Sequence, residues 1–253
     1  MALTDSLISY WKLDEASGNA LDAHGANTLT DNNSVGTAVG KIGNARDFEL
    51  DSAQYFSRAD NADLSTGDID FTFAFWAKPE TLAVTGNVIA KDNLGPREHR
   101  TLLLTTGAIQ FVVYTAGGST SGNVSSTPTL STGTWGFVVV WHDATANTIN
   151  VQINNGTVDS TSYASGVEDT AADFTIGARA AGGGPYDGLI DEVGFWKRVL
   201  TSNERTALYN NGNGFAYPFT VATTTRVGRV PRNTMSPVGR AQRRMGSPIS
   251  RAR

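Results

Sequence analysis

Residues 69–79 read IDFTFAFWAKP. Ile69, Phe71, Phe73 and Phe75 fall on one face of an extended chain, and Thr72, Ala74 and Trp76 fall on the other. The period is two, that of a β-strand. Both faces are largely apolar, so the strand has to be covered on both sides, as in the interior of a sandwich. Residues 134–143, TWGFVVVWHD, repeat the pattern, with Trp135, Phe137, Val139 and Trp141 opposed to Val138, Val140 and His142. Residues 148–158, TINVQINNGTV, follow, and Asn155-Gly156 is a hairpin signal.

Working outward, strands are predicted at 7–13, 43–50, 54–58, 88–91, 100–106, 108–115, 173–178 and 189–197. About a dozen short strands with turn residues between them predict an all-β fold, a two-sheet antiparallel jelly-roll sandwich. One short C-terminal helix is predicted. Thr201-x-x-Glu204 is a capping box, Leu208 and Tyr209 follow, and Gly212 is the expected stop.

The chain has 253 residues, within the range of one all-β domain. Its net charge of −4 hides a division. Residues 1–219 hold 12 Lys and Arg with all 24 Asp and Glu, whereas residues 220–253 hold 8 Arg and no acid. Aromatic residues also stop at Phe219. The expected organisation is a folded body, 1–219, and an extended Arg-rich tail, 220–253, with a partner of its own. The tail repeats at a spacing of 11: TRVGRVPR (225–232), SPVGRAQR (236–243) and SPISRAR (247–253). This brings Val227, Val238 and Ile249 into register, and likewise Arg229, Arg240 and Arg251. Pro231, Pro237 and Pro248 oppose a helix.

There is no cysteine, which excludes disulfides and thiolate metal sites. The first 15 residues lack a charged segment followed by an apolar run, and no apolar stretch approaches the ~20 residues of a membrane span. The N-x-S/T matches at Asn32, Asn123 and Asn155 read as coincidences of an Asn-, Ser- and Thr-rich chain.

Five segments together resemble a known family: LISYWKLDEASGNALDAHGANTLT (7–30), GNARDFELDSAQYFSRADNADL (43–64), FTFAFWAKPE (71–80), TWGFVVVWHDATANTINVQINNG (134–156) and YDGLIDEVGFWKRVLTSNERTALYNNG (186–212). In this order they are similar to laminin-G-like jelly rolls of the concanavalin A-like lectin/glucanase group, over about residues 6–216. The resemblance implies two antiparallel sheets, one concave, and a binding or adhesion module. It also implies a structural Ca²⁺ held by an early Asp and one in the final strand. Asp14 and Asp191 match those positions, and Asp22 is expected to add a ligand.

No catalytic residues are predicted. Related glucanases carry paired carboxylates on one concave strand, and no strand here has that spacing. Asp191 and Glu192 are adjacent, so alternation sends them to opposite faces. His24, His99 and His142 fit no metal or triad spacing. The Gly-rich stretch 180–188 runs into a strand and reads as a rim loop. All five tryptophans lie in strand patterns and are assigned to the core. A glycan is expected on rim loops, at 92–99, 115–127 or 179–187.

The tail is expected to fasten the protein to protein subunits of a larger assembly. Its arginines would meet carboxylates and its Val and Ile would fill small pockets. Nucleic-acid binding is disfavoured because the tail has no aromatic residue to stack on bases and the body is acidic. A leaderless, cysteine-free module with such a tail suits a virion-associated accessory protein of a phage head or tail, made in the host cytoplasm, with homo-oligomerisation left open. A free carbohydrate-binding lectin and a nucleic-acid binder are the alternatives.

Overall fold

In a computed structural model the described residues are 1–115, 117 and 121–220. The tail positions Val227, Arg229, Val238, Arg240, Ile249 and Arg251 lie outside them. The strands are β1 Leu7–Trp11, β2 Thr30–Asn32, β3 Gly36–Val39, β4 Asn44–Phe48, β5 Tyr55–Arg58, β6 Phe71–Pro79, β7 Gly86–Asp92 and β8 Arg97–Leu103. They continue with β9 Ala108–Tyr114, β10 Ser121–Thr129, β11 Gly136–Asp143, β12 Thr148–Ile153, β13 Val158–Ser162, β14 Phe174–Ile176 and β15 Gly188–Trp196. The helix is α1, Ser202–Tyr209.

The strands form two antiparallel sheets. An eight-stranded sheet runs β13-β12-β11-β6-β15-β4-β3, with β1 also paired to β15. A seven-stranded sheet runs β10-β9-β8-β7-β14-β5-β2. The alternation of β6 and β11 explains the layering. Phe71, Phe73, Phe75, Val138 and Val140 enter the core between the sheets. Ala74, Trp76, Phe137, Val139 and Trp141 face the other way, into a second apolar cluster. Phe73 is fully buried, its ring 4.5 Å from that of Phe195 and 5.9 Å from that of Phe174. Burying one such ring contributes about 1.5–3 kcal/mol.

The second cluster is capped by α1 and the segment after it. Leu208 joins the cluster, Tyr209 stacks 6.0 Å from Trp76, and Arg205 lies 4.5 Å over Trp141. Four of the tryptophans are buried, and Trp135 is partly buried against this cluster. The capping box forms as predicted. Thr201 Oγ1 accepts from Glu204 N (3.3 Å), and Glu204 Oε2 accepts from Thr201 N (2.8 Å). Arg198 clamps the same carboxylate with two nitrogens at 2.7 and 2.9 Å. Past α1, Tyr217 and Phe219 pack their rings 5.1 and 5.2 Å from Tyr10 of β1.

Three local expectations are corrected. Ile69 lies outside β6 and is 39% exposed, because the strand begins at Phe71. The hairpin turn is Asn154-Asn155, both at positive φ, one residue before the predicted pair. The donor that closes it is Gly156 N, to Ile153 O at 2.9 Å. The helix stops at Asn210, in the left-handed region at φ 47°, ahead of Gly212. Asparagine tolerates this region better than other side-chain-bearing residues, so two Asn-Asn pairs do the work expected of glycine.

Candidate functional site

Two of the predicted rim loops are partly strand, since residues 97–99 begin β8 and residues 121–127 belong to β10, which pairs along β9; the turns that remain divide between the two ends of the sandwich. β7 starts at Gly86, where a Cβ would lie 2.8 Å from the Tyr186 backbone, so the 179–187 loop sits at that end. β7 ends at Asp92, and His99 of β8 pairs with Val113 of β9. The turn after Asp92 and the connection after Tyr114 therefore share the opposite end. The 163–173 segment closes over it, with Glu168 N donating to Tyr114 O (2.8 Å) and Asp173 N to Asn93 Oδ1 (3.2 Å).

At this end lies an open cleft of about 660 Å³, lined by Asp60, Ser65, Thr66, Asp169, Thr170 and Lys197. Its walls are loops some hundred residues apart in sequence, held by one buried ion pair. Lys91 has no exposure and pairs with Glu98, which is also fully buried. Lys91 Nζ further reaches Asp60 Oδ1 (2.8 Å) and Thr170 O (2.7 Å). Glu98 accepts from Thr66 N (3.1 Å), Thr66 Oγ1 (2.7 Å) and Thr170 N (2.7 Å). Burying such charges is costly unless every lone pair and proton is used, as here. A second hollow of about 450 Å³ shares Asp60 and adds Thr30, Ser57, Arg58 and Asn61. Hydroxyls, carboxylates and Lys197 in the cleft, and hydroxyls, Arg58 and Asn61 in the hollow, stand beside the apolar Ala62, Ile69, Ala171 and Ala59, and such mixed linings both donate to and accept from sugar hydroxyls. Composition and motif reading missed this cleft because it is nonlocal. The one sequence signal is Lys91 itself, a lone cation in the buried strand GNVIAKD, which demands a buried acid.

The resemblance-derived metal residues separate. Asp22 accepts four backbone N–H groups, from Tyr10, His24, Gly25 and Asn27, at 2.9–3.0 Å. Burial works to raise its pKa, but these donors outweigh it and hold the carboxyl below its ordinary value. Asp22 is thus a turn cap with its lone pairs occupied. Asp14 and Asp191 instead meet at the turn before β4. Asp191 Oδ2 accepts from Lys41 N (2.7 Å) and Ile42 N (2.9 Å), and Asp14 Oδ1 accepts from Asn44 N (2.9 Å). Gly43 has φ 63°, and a Cβ there would collide with Asp14 Oδ1.

Glu192 joins them, contrary to the alternation rule. β15 bulges between Asp191 and Gly194, with Glu192 at φ 52°. The extra residue brings both carboxylates to the same side of the sheet. Asp191 pairs with Trp76, and Glu192 accepts from Tyr10 Oη (2.5 Å) beside a cavity of about 10 Å³, the room of about one water. Asp191 Oδ1 and Glu192 Oε1 are buried without a hydrogen-bond partner. Burial pushes Asp191 up to about 8, and the charges of Glu192 and Asp14 add to the shift. Burial likewise pushes Glu192 up to about 7, against the Tyr10 hydrogen bond. Two orphaned carboxylate oxygens beside a third acid are the chemistry of a hard-cation site without Asp22, but Asp14, Asp191 and Glu192 do not bring three ligand oxygens within 4.8 Å of one another and would have to close up around an ion. Among the described residues, the three carboxylates within 4.8 Å of one another are Asp47, Glu49 and Glu80, at the 179–187 end, two of them exposed.

Both raised carboxylates bind protons in the folded state that they release when unfolded near neutrality. Their contribution to stability is full below pH ~4 and is lost as pH rises through 7–8. In chelator, the melting temperature of wild type should therefore fall relative to that of Asp191→Asn between pH 5 and 8.5. Parallel curves for the two proteins would show that Asp191 titrates normally.

Comparison with known proteins places this geometry. A model of the concanavalin A-like lectin/glucanases superfamily, Laminin_G_3, matches residues 50–204. Comparison with curated protein sequences gives no match. Among solved structures, the binding domain of Paraclostridial Mosquitocidal Protein 1 aligns with a TM-score of 0.69 at 15% identity, over 83% of this chain and 53% of that one. Domain 4 of AbnA, a GH43 extracellular arabinanase from Geobacillus stearothermophilus in complex with arabinotriose, aligns at 0.60 and 23% identity, over 79% and 97%. The binding domain of Botulinum Neurotoxin DC in complex with SialylT aligns at 0.60 and 11%, over 83% and 52%. The chain thus spans about half the length of the two toxin domains and nearly all of the arabinanase domain. At these identities the likeness is one of fold. The family match covers more than half of the chain, which belongs to the concanavalin A-like lectin/glucanases superfamily.

Proposed function

We propose that residues 1–220 form a non-catalytic glycan-binding module whose site is the polar cleft between the 60–66 and 169–170 loops. The observation that carries this reading is the cleft itself: open, lined by hydroxyls and carboxylates, and braced by the Lys91–Glu98 pair. A pre-braced polar cleft binds sugars without first having to order its own walls. The similar arabinanase domain in complex with arabinotriose supports a saccharide ligand. The absence of catalysis is supported by the Asp191–Glu192 pair, whose residues are 0% and 4% exposed beside a cavity too small for a sugar. Titration calorimetry against a panel of oligosaccharides that includes arabinotriose should find a binder. Asp169→Ala, at the exposed lip, should weaken it roughly tenfold with no change in melting temperature. If no saccharide in the panel binds at millimolar concentration, the reading is wrong.

A structural Ca²⁺ held by Asp14, Asp191 and Glu192 is a second proposal, favoured by the two orphaned oxygens. Bound there, the cation would keep both acids ionised and tie β15 to the turn before β4. With millimolar Ca²⁺ in place of chelator, wild type should lose its extra decline in melting temperature above pH 6. An unchanged decline would exclude the site.

The reversal of charge at residue 220 favours a further element, attachment of the module to a larger assembly, a virus particle among the candidates, through the tail arginines. In the full chain, replacing Arg229, Arg240 and Arg251 with Gln should abolish co-sedimentation with that assembly and leave glycan binding intact. Retained co-sedimentation would sink the anchor idea.

A further inference from the structure

The outer face of the seven-stranded sheet carries a second arrangement beside the cleft. Cross-strand register places Arg100 next to Val112 and Leu102 next to Gln110, with Asn123 and Ser125 one strand further, beside Val112 and Gln110. Their sequence neighbours Phe111, Val113 and Val124 point into the core. Leu102, Val112 and Tyr114 form a small apolar cluster on this outer face. Two guanidinium groups lie over the Tyr114 ring, Arg97 at 5.5 Å and Arg100 at 5.7 Å from its centre.

These two arginines share a single acid. Asp92 Oδ1 is 3.5 Å from Arg97 Nε, and Asp92 Oδ2 is 3.2 Å from Arg100 Nε. Neither contact is aligned as a hydrogen bond, so both Nε atoms and Asp92 Oδ2 are left unsatisfied. Asp92 is 1% exposed, and its Oδ1 is engaged by Leu94 N at 2.7 Å. Arg97 Nη2 donates to Leu94 O at 3.0 Å. No hydrogen bond engages the terminal nitrogens of Arg100 among the described residues, and its side chain is 24% exposed. Among the described residues Asp92 is the acid that pairs with both guanidinium groups, two cations to one anion.

A guanidinium fork matches a carboxylate in two parallel hydrogen bonds. Gln110, on the adjacent strand, and Asn123, one strand further, are placed to meet ring hydroxyls of a sugar held there. The apolar residues beneath the arginines are only 4–7% exposed, too little free apolar surface to anchor a protein partner. We propose that Arg97 and Arg100, backed by Tyr114, form a carboxylate-binding subsite that makes the module prefer acidic glycans such as uronic acid oligomers. The proposal rests on the glycan-binding reading and adds selectivity to it.

The test compares trigalacturonate with its methyl ester, which has the same sugars without the charge, and with arabinotriose, all by calorimetry on the full chain. Trigalacturonate should bind roughly tenfold or more tighter than its ester, and 0.5 M salt should shrink the gap. Arg100→Gln should close the gap while ester binding persists. Asp92→Asn, which keeps the oxygen that accepts from Leu94 N and frees both arginines, should tighten trigalacturonate binding, a gain that misfolding cannot imitate. Equal affinity for acid and ester, or binding of arabinotriose alone, overturns the subsite and leaves the glycan-binding reading standing. Failure of all three saccharides, together with the wider panel, overturns both.

Discussion

Strand β6 is apolar on both faces, and water can be allowed at neither. One face is closed by the second sheet, through Phe73, Phe195 and Phe174. The other is closed by a short helix and the segment that follows it as far as Phe219, through Leu208, Tyr209, Tyr217 and Phe219. The architecture is therefore three-layered at its centre although it is built from two sheets, and the helix is part of the core in energetic terms. This accounts for the care taken at its start, where Thr201, Glu204 and Arg198 satisfy one another. A helix of eight residues is marginal on its own, and the cap and the packing surface together hold it.

The rim follows a different logic. Its loops send Leu64, Tyr163 and Val167 into the core and are tied to one another by charge. Lys91 and Glu98 sit at the ends of two adjacent strands and reach Asp60, Thr66 and Thr170. The same environment holds His99 neutral. It lies in the core against Phe71 and Phe73, and burial, with Lys91 nearby, pushes its pKa down to about 3. Polar groups inside a sandwich are expensive, and Lys91, Glu98 and Thr66 offset that cost among themselves behind the cleft.

What the sequence made legible was what repeats along one strand or one helix turn. The alternation of Phe71, Phe73 and Phe75 with Ala74 and Trp76 specified both layers, and Thr201-x-x-Glu204 specified the helix start. What escaped was whatever depends on an irregular backbone or on loops distant in sequence. Nothing in Ile190-Asp191-Glu192-Val193 announces a positive φ at Glu192, yet that torsion turns two opposed acids into neighbours. Asp22 was selected by position, but its role was decided by four amide groups that only the folded turn presents. The cleft needed residues 60–66 and 169–170 together, and only Lys91 hinted at it.

The aromatic clasp of Tyr10 with Tyr217 and Phe219 brings the two ends of the folded body together. Trp196 Nε1 and Arg198 Nη2 hold the carbonyls of Leu3 and Ala2 to the same region. First and last residues of the body thus meet on the outer side of the eight-stranded sheet, whereas the arginine pair lies on the outer side of the seven-stranded one. A body with adjoining ends is topologically close to a circle. It can be opened at an exposed hairpin such as Asn154-Asn155 and rejoined at its natural ends without moving a core residue. The orientation of its cleft relative to anything joined to it then becomes a free choice of where the circle is cut.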